Sequence, residues 1–124
     1  MTPNMRSMKL HKFTATGSGN IDFTVTPSSL MSRGSLFSLP AFRLVSFELH
    51  LSAAGGDNSL TITRDAEDGV AYDTVIYSVD LSTLTDNVQT WDNLYYDYGD
   101  SLVVAWTNGS SRTYGLTIRV EELY

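Results

Sequence analysis

Apolar side chains recur at every second position along much of this chain, and that period constrains the fold more than anything else in it. Leu102, Val104 and Trp106 alternate with Val103 and Ala105. Tyr114, Leu116, Ile118 and Val120 alternate with Gly115, Thr117 and Arg119. A strand points successive side chains to opposite faces, so each run has one face for a core and one for water. Between them, Asn108-Gly109-Ser110-Ser111 offers residues that tolerate positive φ or bond their own backbone. The spacing predicts a β-hairpin, with Gly99-Asp100 as a second turn just upstream. Each large inward side chain contributes roughly 1.5–3 kcal/mol when fully buried, before ordering entropy is subtracted. An isolated hairpin is marginal in water, so this one requires a sheet around it.

The same period recurs elsewhere. Ile21, Phe23 and Val25 form one run, and Pro27-Ser28-Ser29 ends it because proline donates no ladder hydrogen bond. Val45, Phe47, Leu49 and Leu51 form a longer run, with Ser46, Glu48 and His50 on its polar face. Leu60 and Ile62 follow the turn at Ala54–Asn58, and Val75, Tyr77, Val79 and Leu81 follow the acidic turn at Asp65–Gly69. Trp91–Tyr98 reads as an irregular aromatic stretch, and Leu30–Pro40 as a loop with apolar anchors. No segment shows sustained helical spacing. Short strands between polar turns predict an all-β, antiparallel β-sandwich, jelly-roll-like, with an extended N-terminal arm. The division expected is an arm over residues 1–19 and a sandwich over 20–124, with Leu10–Thr16 pairing onto the Ile21–Val25 strand.

Composition removes several function classes. The 124 residues are 42% hydrophobic, which is enough for one core. The absence of cysteine excludes disulfides, thiol catalysis and thiolate metal sites. No apolar run reaches the 18 or so residues of a membrane-spanning helix, and the first residues show no apolar leader, so neither membrane insertion nor a secretory signal is expected. The net charge is −6, unevenly placed. The first 20 residues hold Arg6, Lys9, His11 and Lys12 and no acid, whereas Asp57–Asp100 holds ten acids and one base, Arg64. An acidic body argues against nucleic-acid binding, which needs a basic face for counterion release. The basic leader suits docking on an acidic surface or on nucleic acid or, equally, a solvated terminus.

Candidate chemistry is sparse. His11 and His50 are the two histidines, and no nucleophile-elbow spacing accompanies them. The turn Arg64–Gly69 with Asp73 offers hard oxygens for calcium but departs from the EF-hand pattern, and a solvated sheet edge explains it as well. A hydrolase built on Asp65, Glu67 and His50 requires those groups to converge in space. Trp91, Tyr95, Tyr96 and Tyr98, interleaved with carboxylates, suit either stacking on sugar rings or filling a core and a subunit contact. Gly17-Ser18-Gly19 lacks the spacing of a phosphate loop. No cofactor and no enzymatic activity is expected.

The run LHLSAAGGDNSLTITRDAEDGVAYDTVIYSVDLS, the aromatic stretch, and GDSLVVAWTNGSSRTYGLTIRV together resemble the small β-sandwich virion proteins of tailed bacteriophages. The resemblance covers roughly Phe42 to Leu123 and leaves the basic leader outside it. It implies a jelly-roll capsid decoration (cement) protein that binds the outside of the shell, commonly as a homotrimer, with the major capsid protein as partner and the virion as location. On that expectation Arg6, Lys9 and Lys12 meet acidic residues of the capsid, and Leu36, Phe37 and Phe42 line a subunit or shell contact. The alternative is a neck or tail component that binds a host glycan through Trp91, Tyr95, Tyr96 or Tyr98.

Overall fold

The computed structural model describes residues 8–26 and 41–123. These contain the strands β1 (Met8–Gly17), β2 (Ile21–Val25), β3 (Ala41–Leu51), β4 (Ser59–Asp65), β5 (Thr74–Asp80), β6 (Asp86–Tyr96), β7 (Ser101–Trp106) and β8 (Tyr114–Leu123), with a single 3₁₀ turn at Val70–Tyr72. They form two four-stranded sheets, ordered β1-β8-β3-β6 and β2-β7-β4-β5. Every pairing is antiparallel. The first strand pairs with the last, the second with the seventh, the third with the sixth and the fourth with the fifth. The chain thus doubles back at the β4–β5 turn, and the resulting double ribbon rolls until β8 meets β3 and β7 meets β4. This is the jelly-roll order, which the all-β expectation anticipated.

The core lies between the sheets. Val25, Leu60, Ile62, Leu102 and Val104 from one sheet face Phe42, Leu44, Phe47, Ile118 and Val120 from the other, all fully buried. Phe42 and Tyr96 stack with ring centroids 4.6 Å apart and an interplanar angle of 9°. On the flanks, Phe13 of β1 approaches Phe23 of β2 (6.4 Å), and Tyr77 of β5 meets Trp91 of β6 edge-on (5.5 Å). Those contacts close the two open sides of the sandwich.

Several expectations need correction. The expected hairpin does not exist: β7 pairs with β2 and β4, and β8 with β1 and β3. Both runs do aim their apolar faces inward, but from opposite sheets. Alternation sets which face is buried and is silent on which strand lies alongside. Met8–Gly17 is likewise an edge strand bonded along its length to β8, so the arm-like boundary at residue 19 gives way to a sheet that starts at Met8. Leu10–Thr16 lies across the core from β2 and does not pair with it. In β3 the register slips between Leu44 and Ser46. Val45 is therefore the bulged residue, partly buried, while Phe42 and Leu44 take the inward positions. Opposite this bulge, β6 also departs from the ladder at residues 91–93. The Arg43 guanidinium serves the displaced backbone, donating to the Trp91 and Asp92 carbonyls at 3.1 Å each and to Glu121 Oε1 at 3.1 Å.

Candidate functional site

The residues singled out from sequence scatter. Arg6, Leu36 and Phe37 lie outside the described residues. Lys9 and Lys12 are exposed on edge strand β1. Phe42, expected at a subunit or shell contact, is wholly buried against Tyr96, because its place on β3 before the bulge points it inward. Tyr96, expected to meet a glycan, is excluded from solvent for the same reason. Burial pushes its hydroxyl's pKa well above the ordinary value, against a smaller opposing pull from Arg64. Trp91 is half-buried on Tyr77. Of the four aromatic candidates, Tyr95 and Tyr98 remain exposed.

The catalytic grouping on Asp65, Glu67 and His50 is not assembled. His50 sits on the outer face of the β1-β8-β3-β6 sheet, near the β3–β4 connection. Asp65 ends β4 of the other sheet, and Glu67 follows it in the β4–β5 turn. The Nδ1 of His50 lies 2.6 Å from Asp86 Oδ1, and both side chains are largely exposed. This pair, with Glu48, Val88 and Thr117 around the bare backbone of Gly115, lines a shallow hollow of about 310 Å³. Beside it Arg119 bonds Glu48. Among the described residues no group of three or more His, Asp or Glu is placed to hold a metal. The Asp73 carboxylate, a calcium candidate from sequence, instead accepts the Ala66 N–H at 2.9 Å.

A second surface was not legible as a unit in the sequence. Asp100, buried just before β7, ties the β6–β7 turn to the β4–β5 loop. Its Oδ1 accepts the Glu67 N–H (3.1 Å), its Oδ2 accepts the Asp97 N–H (3.3 Å), and Arg64 Nε stands 3.8 Å from Oδ2. Arg64 also donates to the Tyr95 carbonyl at 2.9 Å and lies over the Tyr96 ring, 5.3 Å from its centroid. Within the β4–β5 loop, the Tyr72 and Asp73 N–H groups bond the Gly69 and Val70 carbonyls. Two loops stitched this tightly nonetheless hold apolar side chains out in water: Val70 is 84% exposed, Tyr72 64% and Tyr98 59%. Rigid backbone with exposed apolar groups is the arrangement of a preformed contact surface, because little ordering entropy remains to be lost on binding. The separate turns looked only acidic in sequence. The signal was the run Val70-Ala71-Tyr72, apolar where a solvated turn would be polar.

No family model and no curated protein matches the chain. Among solved structures, the backbone resembles the crystal structure of Yersinia pseudotuberculosis-derived mitogen, with a TM-score of 0.45 and 16% identity over 94% of this chain and 86% of that one. It also resembles the structure of infectious bursal disease virus Gx strain, with a TM-score of 0.35 and 14% identity over 99% of this chain and 39% of that one.

Proposed function

We propose that this chain is a non-enzymatic virion structural protein of a tailed phage, which decorates the outside of the capsid by binding the major capsid protein. The sequence resemblance supplies the setting. The observation that carries the reading is the loop pair just described, with Val70, Tyr72 and Tyr98 projecting from hydrogen-bonded backbone at one end of a jelly roll. Such a surface suits binding to a fixed partner and asks for no reactive group. It moves the shell contact from the basic leader to the β4–β5 and β6–β7 loops, since Lys9 and Lys12 belong to a paired strand.

Co-sedimentation of the purified chain with capsids lacking it tests this. Wild type is expected to bind, and the double variant Tyr72→Ser/Tyr98→Ser to bind at least about tenfold more weakly, the loss of one or two interface anchors. Thr83→Ala, in the β5–β6 connection, is expected to bind as wild type. Failure of wild type to bind any shell would overturn the function, and undiminished binding of the double variant would overturn the loop assignment. A glycan-binding neck or tail role draws on the same Tyr98. It predicts saccharide binding by the free chain that Tyr98→Ala abolishes.

A further inference from the structure

The charge asymmetry of the sequence becomes a charged axis in the fold. β1 lies at one edge of its sheet and β6 at the other. β2 accompanies β1 on the first side, and β5 accompanies β6 on the second, as the Phe13–Phe23 and Tyr77–Trp91 contacts show. The β1 edge carries Lys9, His11 and Lys12 and no acid. Residues 65–111, which include β5 and β6, contain nine acids and no base. Among the described residues, His11, Arg43, Arg64 and Arg119 have carboxylate partners, whereas the side chains of Lys9 and Lys12 make no ion pair or hydrogen bond.

The two edges also match in pattern. β1 is 10 residues long and β6 is 11. On the outer face of β1, Leu10 is 61% exposed and stands two positions from Lys12; on the outer face of β6, Val88 is 65% exposed and stands two positions from Asp86. Strand direction alternates across the sheet, so β1 and β6 run opposite ways. A second copy displaced along the sheet therefore brings its β6 antiparallel to β1 of the first. Setting Leu10 opposite Val88 then sets Lys12 opposite Asp86, His11 opposite Asn87 and Lys9 opposite Gln89. All four pairs obey the same-face rule of the pleat. This register uses Asp86–Thr90, the part of β6 that pairs regularly before its bulge.

We propose that this chain assembles head to tail with itself, β1 of one copy adding antiparallel to β6 of the next in the Leu10–Val88, Lys12–Asp86 register. The contact is heterologous, so it closes into a ring if the rotation between copies allows and otherwise grows as a chain. It satisfies the backbone groups that an edge strand leaves open. It does not rest on the capsid reading, and it occupies a different surface from the loops assigned to the shell.

Sedimentation velocity on the full chain without capsids is the test. At low ionic strength the mass is expected to rise with concentration above the 13.7 kDa monomer and to fall back when salt is added. Lys12→Asp and Asp86→Lys are each expected to weaken association about tenfold, through loss of an attractive pair and gain of a like-charge one. The combined Lys12→Asp/Asp86→Lys variant recreates an opposite-charge pair in reversed sense and is expected to associate as wild type. Circular dichroism checks that each variant stays folded, which the exposure of both positions favours. A wild type that remains 13.7 kDa at every concentration shows that the edge charges only keep copies apart, and overturns the proposal. Single variants that associate normally, or a combined variant that does not recover, place the contact elsewhere and overturn it too.

Discussion

Asn108 has the appearance of an ordinary turn residue, yet it bonds more of the surrounding backbone than any other side chain described. It is buried where β7 leaves one sheet for the other. Its Nδ2 donates to the carbonyls of Arg112 (2.8 Å), Gly19 (3.1 Å) and Ser18 (3.2 Å), and its Oδ1 accepts the Arg112 N–H at 2.8 Å. One side chain thus joins the β7–β8 connection to the β1–β2 turn. Asn108→Ala removes all of these bonds and leaves the Arg112 N–H and three carbonyls short of a partner. A hydrogen bond is worth about 0.5–1.5 kcal/mol net, and a buried group left bare costs about 1–3. Two strong bonds and two shared ones sum to a loss of roughly 2–4 kcal/mol, allowing for water reaching part of the turn. Urea unfolding measures it: with a slope of about 2 kcal/mol/M, in the middle of the range for a small domain, the midpoint should fall by roughly 1–2 M. Asn108→Asp keeps the acceptor for Arg112 but turns a carboxylate oxygen toward three carbonyls, so it should be no better than alanine. Asn20→Ala removes a single bond, from the Asn108 N–H at 2.9 Å, and should cost about 1 kcal/mol. A loss below about 1 kcal/mol for Asn108→Ala, or a well-tolerated Asn108→Asp, would refute the reasoning.

Other outcomes follow from the same structure. A Cβ on Gly55 would lie 2.6 Å from the Leu81 carbonyl and 3.1 Å from Trp106 Cζ2. Gly55→Ala should therefore lower thermal stability by about 1–3 kcal/mol, whereas Gly19→Ala, with nothing within 4 Å, should lie within about 0.5. The Tyr96 hydroxyl is buried without a hydrogen-bond partner among the described residues, so Tyr96→Phe should unfold at the same or a higher temperature than wild type. The hydrogen bond to His50 holds the Asp86 carboxyl below its ordinary value of 3.8. Its contribution is present above the unfolded value and is lost as pH falls through the lower folded one. Acid unfolding of Asp86→Asn should therefore be less steep than that of wild type below about pH 4.

The central strands were legible because both of their neighbours are strands and one face is core. Leu60–Ile62, Leu102–Trp106 and Tyr114–Val120 show clean alternation and appear where that alternation puts them, as does the short edge run Ile21–Val25. The edges were harder. β1 reads as a basic leader because its inward groups, His11, Phe13 and Ala15, are only partly buried, and its outward positions are free to carry charge such as Lys12. β6 reads as an irregular aromatic stretch because the break in register at residues 91–93 interrupts its period. In β3 the bulge at Val45 moved the inward set by one residue, which is why Phe42 proved to be core. The joined β4–β5 and β6–β7 loops escaped notice because Asp100 and Glu67, the residues that join them, are 33 positions apart.

By itself the sequence determined the class of structure, the inward faces of its strands and the separation of charge along the chain. Those are properties of neighbouring residues, carried by a period of two and by composition. Tertiary structure alone decided the partners of each strand, the inward turn of Phe42 and Tyr96, and the placement of basic β1 and acidic β6 on opposite edges of one sheet. Pairing depends on how the doubled chain rolls, and backbone hydrogen bonds form between any two strands whatever their side chains. The choice falls to the packing of the whole core, which no local stretch encodes.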